Sequence, residues 1–186
     1  MSGRLRAPHV VSIADLRARA ARRLPRVVFD YIDGGADAER TLRENVRVFD
    51  DVGFRPRGAV STPSIDLRTT VFGQTFALPF LLAPIGSSRM FYPHAEEHAA
   101  RAAGQAGTGY ILSTLSGCRL EDVKAATSGP AWYQVYLVGG RDVATAAIER
   151  AKAAGYTALV VTVDTAVSGM RERDQDRKST RLNTSH

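Results

Sequence analysis

Four short runs decide the architecture: Phe80-Leu81-Leu82-Ala83, Tyr110-Ile111-Leu112, residues 132–137 (Trp-Tyr-Gln-Val-Tyr-Leu) and residues 158–163 (Ala-Leu-Val-Val-Thr-Val). Each is too short for a helix and too apolar for a strand with one wet face, so each reads as a strand buried on both sides. Helical stretches separate them, at about residues 94–107, 120–126 and 142–154. Buried strands alternating with helices imply consecutive parallel βα units. Every run also ends in polar or special residues: Pro84-Ile85-Gly86, Ser113-Thr114, Gln134 with Tyr136, and Thr162 with Asp164. Alternation puts Trp132, Gln134 and Tyr136 on one face of the third strand. On the fourth, Val160, Thr162 and Asp164 share a face, opposite Leu159, Val161 and Val163. In parallel α/β proteins the carboxyl ends of the strands carry the ligand site, which makes these polar groups the candidates. Taken singly, each reads better as an ordinary strand-end turn residue; four strands in succession favour a site.

Outward from this core, residues 12–24 read as a helix, with Ser12 as cap and Ile13, Leu16, Ala20 and Leu24 on one face. Pro25 ends it and can open a second helix over 27–32. Asp33-Gly34-Gly35 is a break, and helix is expected again over 36–48, with Leu42, Val46 and Phe49 at helical spacing. Residues 66–78 alternate around Gly73-Gln74 and predict a hairpin. The expected organisation is therefore an extension of helices and a hairpin over 1–79, βα units over 80–174, and a tail at 175–186 that lacks apolar periodicity.

Composition limits the function classes. The chain has 186 residues, 44% hydrophobic and 24% charged, as in globular proteins. No run approaches the roughly 20 apolar residues of a membrane span, and Arg4 and Arg6 are followed by no apolar stretch of a secretory signal. A single cysteine, Cys118, excludes an internal disulfide and suits a reducing cytosol. A cytoplasmic location is expected, with peripheral attachment to a membrane compatible with it. The net charge of +6 is spread over helices, as at Arg17, Arg19, Arg22 and Arg23, and over Arg177, Lys178 and Arg181 in the tail. Basic and aromatic residues do not interleave, so nucleic-acid binding is not expected.

An ordered set of motifs resembles the FMN-dependent 2-hydroxy-acid dehydrogenase and oxidase family, which includes glycolate oxidase, L-lactate dehydrogenase and mandelate dehydrogenase. The segments are Leu24-Pro-Arg-Val-Val-Phe-Asp-Tyr31, Phe54-Arg-Pro-Arg57, Pro79-Phe-Leu-Leu-Ala-Pro84, Leu112-Ser-Thr114, Trp132-Tyr-Gln-Val-Tyr136, Thr162-Val-Asp164 and Gly169-Met-Arg-Glu-Arg-Asp174. The resemblance implies a (β/α)8 TIM barrel with an N-terminal helical extension, of which residues 80–174 are the first four βα strands. It implies FMN as cofactor and a small 2-hydroxy acid as substrate. Pro84, Ile85 and Gly86 would line the flavin ring with backbone atoms, Gly86 allowing close approach. Ser113, Gln134 and Thr162 would hydrogen-bond its polar edge. Tyr31 and Tyr136 would donate to the substrate, and Arg171 would pair with its carboxylate. Asp164 would orient the family's catalytic histidine. Glycine at position 86 leans toward a dehydrogenase, since oxygen-using members often carry alanine there. Family members are expected to form homo-oligomers.

From the residues alone, Tyr31 is also readable as a helix residue packing its ring, and Arg171 as a surface charge. The resemblance places the base histidine, a second carboxylate-binding arginine, a lysine near the flavin and the phosphate-binding glycine loops in the family's second half-barrel. The histidines here are His9, His94, His98 and His186, none after a late strand. The expectation is therefore a first half, ending in unrelated sequence after Asp174 and inactive alone. A non-catalytic fragment and a non-redox phosphate-binding barrel are the alternatives. No metal is expected. His94-Ala-Glu-Glu-His98 fits the H-x-x-E-H zinc pattern, with both histidines on one helical face, but no third ligand is evident. Glu96 and Glu97 also suit a helix start. Cys118 has no base motif beside it and is expected to be inert.

Overall fold

The computed structural model describes residues 10–137, 139–163 and 169–173. The chain divides into two compact units, Met1–Arg55 with Gly169–His186, and Pro56–Ser168.

The first unit holds three helices, α1 (Ile13–Arg23), α2 (Arg26–Asp33) and α3 (Arg40–Arg47), the last running into a 3₁₀ turn at Val48–Asp51. The expected cap of α1 is a full capping box: the Ser12 hydroxyl accepts from the Asp15 amide, and Asp15 accepts from the Ser12 amide. α3 begins four residues later than its apolar spacing suggests. Asp37 and Glu39 lie at positive φ, 47° and 56°, where a helix cannot pass. Glu39 also spends its carboxylate on the Gly35 amide rather than on the helix. No residue of α1, α2 or α3 is fully buried.

The second unit opens with a hairpin, β1 (Thr69–Val71) and β2 (Gln74–Phe76), paired antiparallel. Phe72 and Gly73 form its two-residue turn, both at positive φ (50° and 74°), the twist that closes a tight hairpin. There follow β3 (Leu81–Leu82), α4 (Ala95–Gln105), β4 (Gly109–Leu112), α5 (Leu120–Ala125), β5 (Ala131–Val135), α6 (Arg141–Ala153) and β6 (Ala158–Val161). The four later strands form one parallel sheet in chain order, β3-β4-β5-β6. Sequential parallel strands, of which β3, β4 and β5 are each followed by a helix, are successive units of a (β/α)8 barrel.

The register assigns the faces. Tyr110 stands beside Ala131, Leu112 beside Tyr133, and Val135 beside Val161; parallel neighbours point the same way. One face thus carries Leu82, Tyr110, Leu112, Tyr133 and Val135, packed with Ala100 and Ala103 of α4, Leu120 and Val123 of α5, and Ala151 of α6. Small alanines on α4 and α6 let the helices sit close to the sheet. Beyond this core β6 is thinly covered on the same face: Leu159 is 45% exposed and Val161 58%.

The opposite, inner face carries Ile111, Trp132, Gln134 and Val160. At its amino end the hairpin packs across it. Phe76 meets Trp132 edge-on with ring centroids 6.0 Å apart, and Phe72 lies 5.7 Å from the same ring. Gln74 Oε1 accepts from Trp132 Nε1 at 3.4 Å and from the Thr157 hydroxyl at 2.8 Å. The amino end is thereby occupied, and the polar strand ends lie at the other. Among the described residues no helix is long and apolar enough to cross a membrane.

Candidate active site at the carboxyl ends of the strands

Three consecutive strands deliver polar side chains to the carboxyl end of the sheet. Ser113 follows β4, Gln134 is the last inner-face residue of β5, and Thr162 follows β6. Ser113 and Gln134 are buried, at 2% and 8% exposure. The Gln134 carboxamide nitrogen donates to the Thr162 hydroxyl at 2.7 Å, joining two strand ends directly. Ser113 Oγ accepts from the Leu115 amide at 3.1 Å, which turns the loop after β4.

These bonds leave capacity unused. Among the described residues the hydrogen bonds of these side chains are the two just given, in which Ser113 and Thr162 accept and the Gln134 nitrogen donates. Across three adjacent strands the site can therefore offer a hydroxyl donor, a carboxamide acceptor and a second hydroxyl donor beyond the bonds recorded among the described residues.

The loop after β3 lies against this row. The Ser87 amide donates to the Leu115 carbonyl at 2.8 Å. A Cβ placed on Gly86 would come within 3.2 Å of Leu115 Cβ and 3.7 Å of Ser113 Oγ. Glycine here keeps the backbone of Pro84, Ile85 and Gly86 close to the Ser113 loop. Ile85 is 56% exposed, open to whatever sits above the strand ends.

Thr114, which the sequence offers beside Ser113 as a polar strand end but with no role of its own, organises the same edge. Its hydroxyl donates to the Gln134 carbonyl and accepts from the Tyr136 amide at 3.1 Å. It thus fixes where β5 ends and where Tyr136, partly buried, leaves the sheet. Only the ordinary strand-end signal marks it, because its partners lie 20 and 22 residues away. A cavity of about 320 Å³ opens nearby, lined by Leu112, Thr114, Cys118, Tyr133 and Arg150 among others. Leu112 and Tyr133 belong to the helix-facing side, and Ser113 of the polar row also lines this cavity, which therefore adjoins the row at the end of β4. Arg150 is committed to Glu121 at 2.8 Å.

The other carried-over residues, Tyr31 and Arg171, lie together in the first unit. The Arg171 guanidinium stacks on the Tyr31 ring, 4.8 Å from its centroid, and donates to the Tyr31 carbonyl. Arg171 is therefore not an idle surface charge. A charged cluster holds its segment in place: Asp33 accepts from Arg17 at 2.8 Å and from Arg173 at 3.2 Å, and Arg173 donates to Glu39 at 2.6 Å. The Asp37 amide adds a bond to the Met170 carbonyl at 2.7 Å. Asp164 lies outside the described residues.

Arg17 and Arg173 hold the Asp33 carboxyl below its ordinary pKa, with Arg17 the larger influence. The Gly35 amide, and then Arg173, do the same for Glu39. A depressed carboxyl stabilises the fold fully above its unfolded pKa, about 4, and loses that contribution as pH falls through the lower folded value. The first unit is accordingly expected to loosen on acidification below about pH 4. Thermal unfolding followed over that range should show a shallower acid loss in Asp33→Asn than in the unaltered chain. An equally steep loss in the variant would mean that this cluster does not carry the effect.

A parallel βα barrel with hydrogen-bonding groups at successive strand ends is the architecture of a ligand-binding barrel enzyme. The chain belongs to the FMN-dependent dehydrogenase family, whose pattern it matches over residues 20–185. That span takes in most of the 175–186 stretch read from its lack of periodicity as unrelated. The L-lactate dehydrogenase of Stenotrophomonas maltophilia is 46% identical over 160 residues, 86% of this chain and 42% of that protein. That of Caulobacter vibrioides is 46% identical over 165 residues, 89% of this chain and 43% of its own length. A soluble mutant of the membrane-associated (S)-mandelate dehydrogenase from Pseudomonas putida superimposes with a TM-score of 0.87 at 35% identity, covering 91% of this chain and 48% of that one. The chain thus spans less than half the length of these relatives. The residues at the strand ends fit the cofactor named by the family: a flat ring with a polar edge needs fixed donors and acceptors and a close backbone, and Ser113, Gln134, Thr162 and Gly86 supply them.

Proposed function

We propose that the protein contributes the flavin-ring site and part of the substrate-carboxylate site of an enzyme that oxidises a small L-2-hydroxy acid to the 2-oxo acid, of the dehydrogenase type. Bound FMN supplies the redox chemistry, accepting the hydride equivalent that leaves the substrate carbon. The observation that carries this reading is the row of polar side chains at Ser113, Gln134 and Thr162, which three adjacent strands bring to one end of the sheet. In this reading their hydrogen bonds fix the ring's polar edge, while the backbone of Pro84, Ile85 and Gly86 lies along its face. Tyr31 and Tyr136 donate to the substrate, and Arg171 pairs with its carboxylate, the Arg173 cluster holding it ready. Asp164 orients an imidazole base and offsets the charge it gains on taking the hydroxyl proton. A cytoplasmic location, compatible with peripheral attachment to a membrane, is part of the same proposal; the (S)-mandelate dehydrogenase relative is membrane-associated.

The 186 residues are proposed to bind the ring without turning over, because neither His94 nor His98 of the described residues follows an inner strand end. Titration of the purified chain with FMN, followed by quenching of flavin fluorescence, should show saturable binding. Added L-lactate or (S)-mandelate should leave the flavin absorbance unbleached under anaerobic conditions. A folded chain that does not quench FMN would overturn the ring-site assignment, and bleaching would overturn the proposed inactivity.

A further inference from the structure

The first turn of α4 and the loop after β4 bring together groups that flavin chemistry does not use. His94, Glu97 and Cys118 each present one ligand atom, all within 4.8 Å of one another. His94 Nδ1 lies 2.9 Å from Glu97 Oε1. The Cys118 thiol donates to Glu96 Oε2 at 3.2 Å, and the other Glu96 oxygen accepts from the Gly117 amide at 2.9 Å. Glu96 is fully buried, so it fixes the loop and aims the sulfur at the α4 terminus. His98, the other histidine of the H-x-x-E-H pattern, is not part of this cluster. It pairs with Arg101 at 3.2 Å and stacks edge-on against Tyr92.

We propose that His94, Glu97 and Cys118 form a binding site for a single zinc-like transition-metal dication, using a histidine nitrogen, a carboxylate oxygen and a thiolate. The donor set is the mixed nitrogen, oxygen and sulfur set that tetrahedral zinc accepts, with a fourth position left for water. Metal–ligand bonds of about 2.0–2.3 Å put ligand atoms roughly 3.5 Å apart, so the present cluster must contract by only about 1 Å. His94 can supply that movement, because it is exposed and caps the helix at positive φ (54°). Thiolate and carboxylate together neutralise the dication. Metal binding forms the metal–sulfur bond and releases the thiol proton to solvent. Burial, and then the neighbouring Glu96, push the thiol pKa up to about 11, so a metal ion has to displace that proton. The bound ion would pin the loop that begins at Ser113 to α4, stiffening one wall of the proposed ring site.

Cobalt(II) is the probe. Titrated into the metal-free chain, it should give a thiolate-to-cobalt charge-transfer absorption that saturates at one equivalent and is displaced by zinc. Cys118→Ser, nearly isosteric, should abolish the band. His94→Ala should weaken binding at least about tenfold, and His98→Ala should leave it unchanged. Zinc should also slow alkylation of Cys118 in the unaltered chain, a readout that needs no variant. Absence of the band with Cys118 unprotected by zinc, or equal weakening by His94→Ala and His98→Ala, would overturn the site.

Discussion

Truncating Leu112 to alanine is expected to destabilise the barrel unit by about 2–5 kcal/mol. Leu112 is 1% exposed and lies in the middle of the face covered by α4 and α5. Removing its isobutyl group loses the transfer energy and leaves a cavity between a strand and two helices that cannot collapse freely. The denaturant midpoint should fall while its slope holds. Leu159 on β6 is the internal comparison. It points to the same side by register but is 45% exposed, so Leu159→Ala should cost about 1 kcal/mol or less. Equal losses at the two positions would mean that the helices do not cover the sheet unevenly.

The second large effect is expected at Gln134, and it rests on the proposed ring site. Gln134→Leu keeps the volume and shape of a buried side chain but removes both the Thr162 bond and the free carboxamide oxygen. Losing a hydrogen bond at a buried site costs about 1–3 kcal/mol, which corresponds to a rise of roughly 5- to 150-fold in the FMN dissociation constant. Fluorescence quenching measures it. The unfolding midpoint of the FMN-free variant should move much less than in Leu112→Ala, separating lost recognition from lost packing. Unchanged affinity would remove Gln134 from the ring site while leaving the rest of the row to be tested separately.

The strand-helix rhythm was legible because burial on both faces leaves an unmistakable mark: short apolar runs such as Tyr110-Ile111-Leu112, each followed by a helix. The positions of Ser113, Gln134 and Thr162 follow from that rhythm and simple alternation. Other features depend on partners far along the chain. The late start of α3 follows from Glu39, which engages the Gly35 amide and Arg173, the latter 134 residues away. Apolar spacing cannot report such a tertiary demand on a helix start. Thr114 looks like any turn residue until β5 lies beside it. Cys118 reads as solitary in sequence, but the fold sets it against Glu96, 22 residues earlier. The H-x-x-E-H pattern was misleading in a physical sense: helical geometry aligns His94 with His98, whereas the ring of His98 is engaged by Tyr92 and Arg101.

The hairpin packed under Trp132 has a consequence for how the chain reaches its folded state. Its strands pair residues only a few positions apart and can close within about 1–10 μs. Its docking must wait for β5, because Gln74 and Trp132 are separated by 58 residues. Loop closure over that distance and the prior formation of three other strands set the delay. During it Phe76 of the hairpin and Trp132 of β5, both buried in the folded chain, are open to solvent. That interval is when a second unfolded chain competes most effectively for the same surface. Crowded synthesis of this protein should therefore be lost to aggregation at the docking step, and slowing β5 should aggravate it more than weakening the hairpin turn.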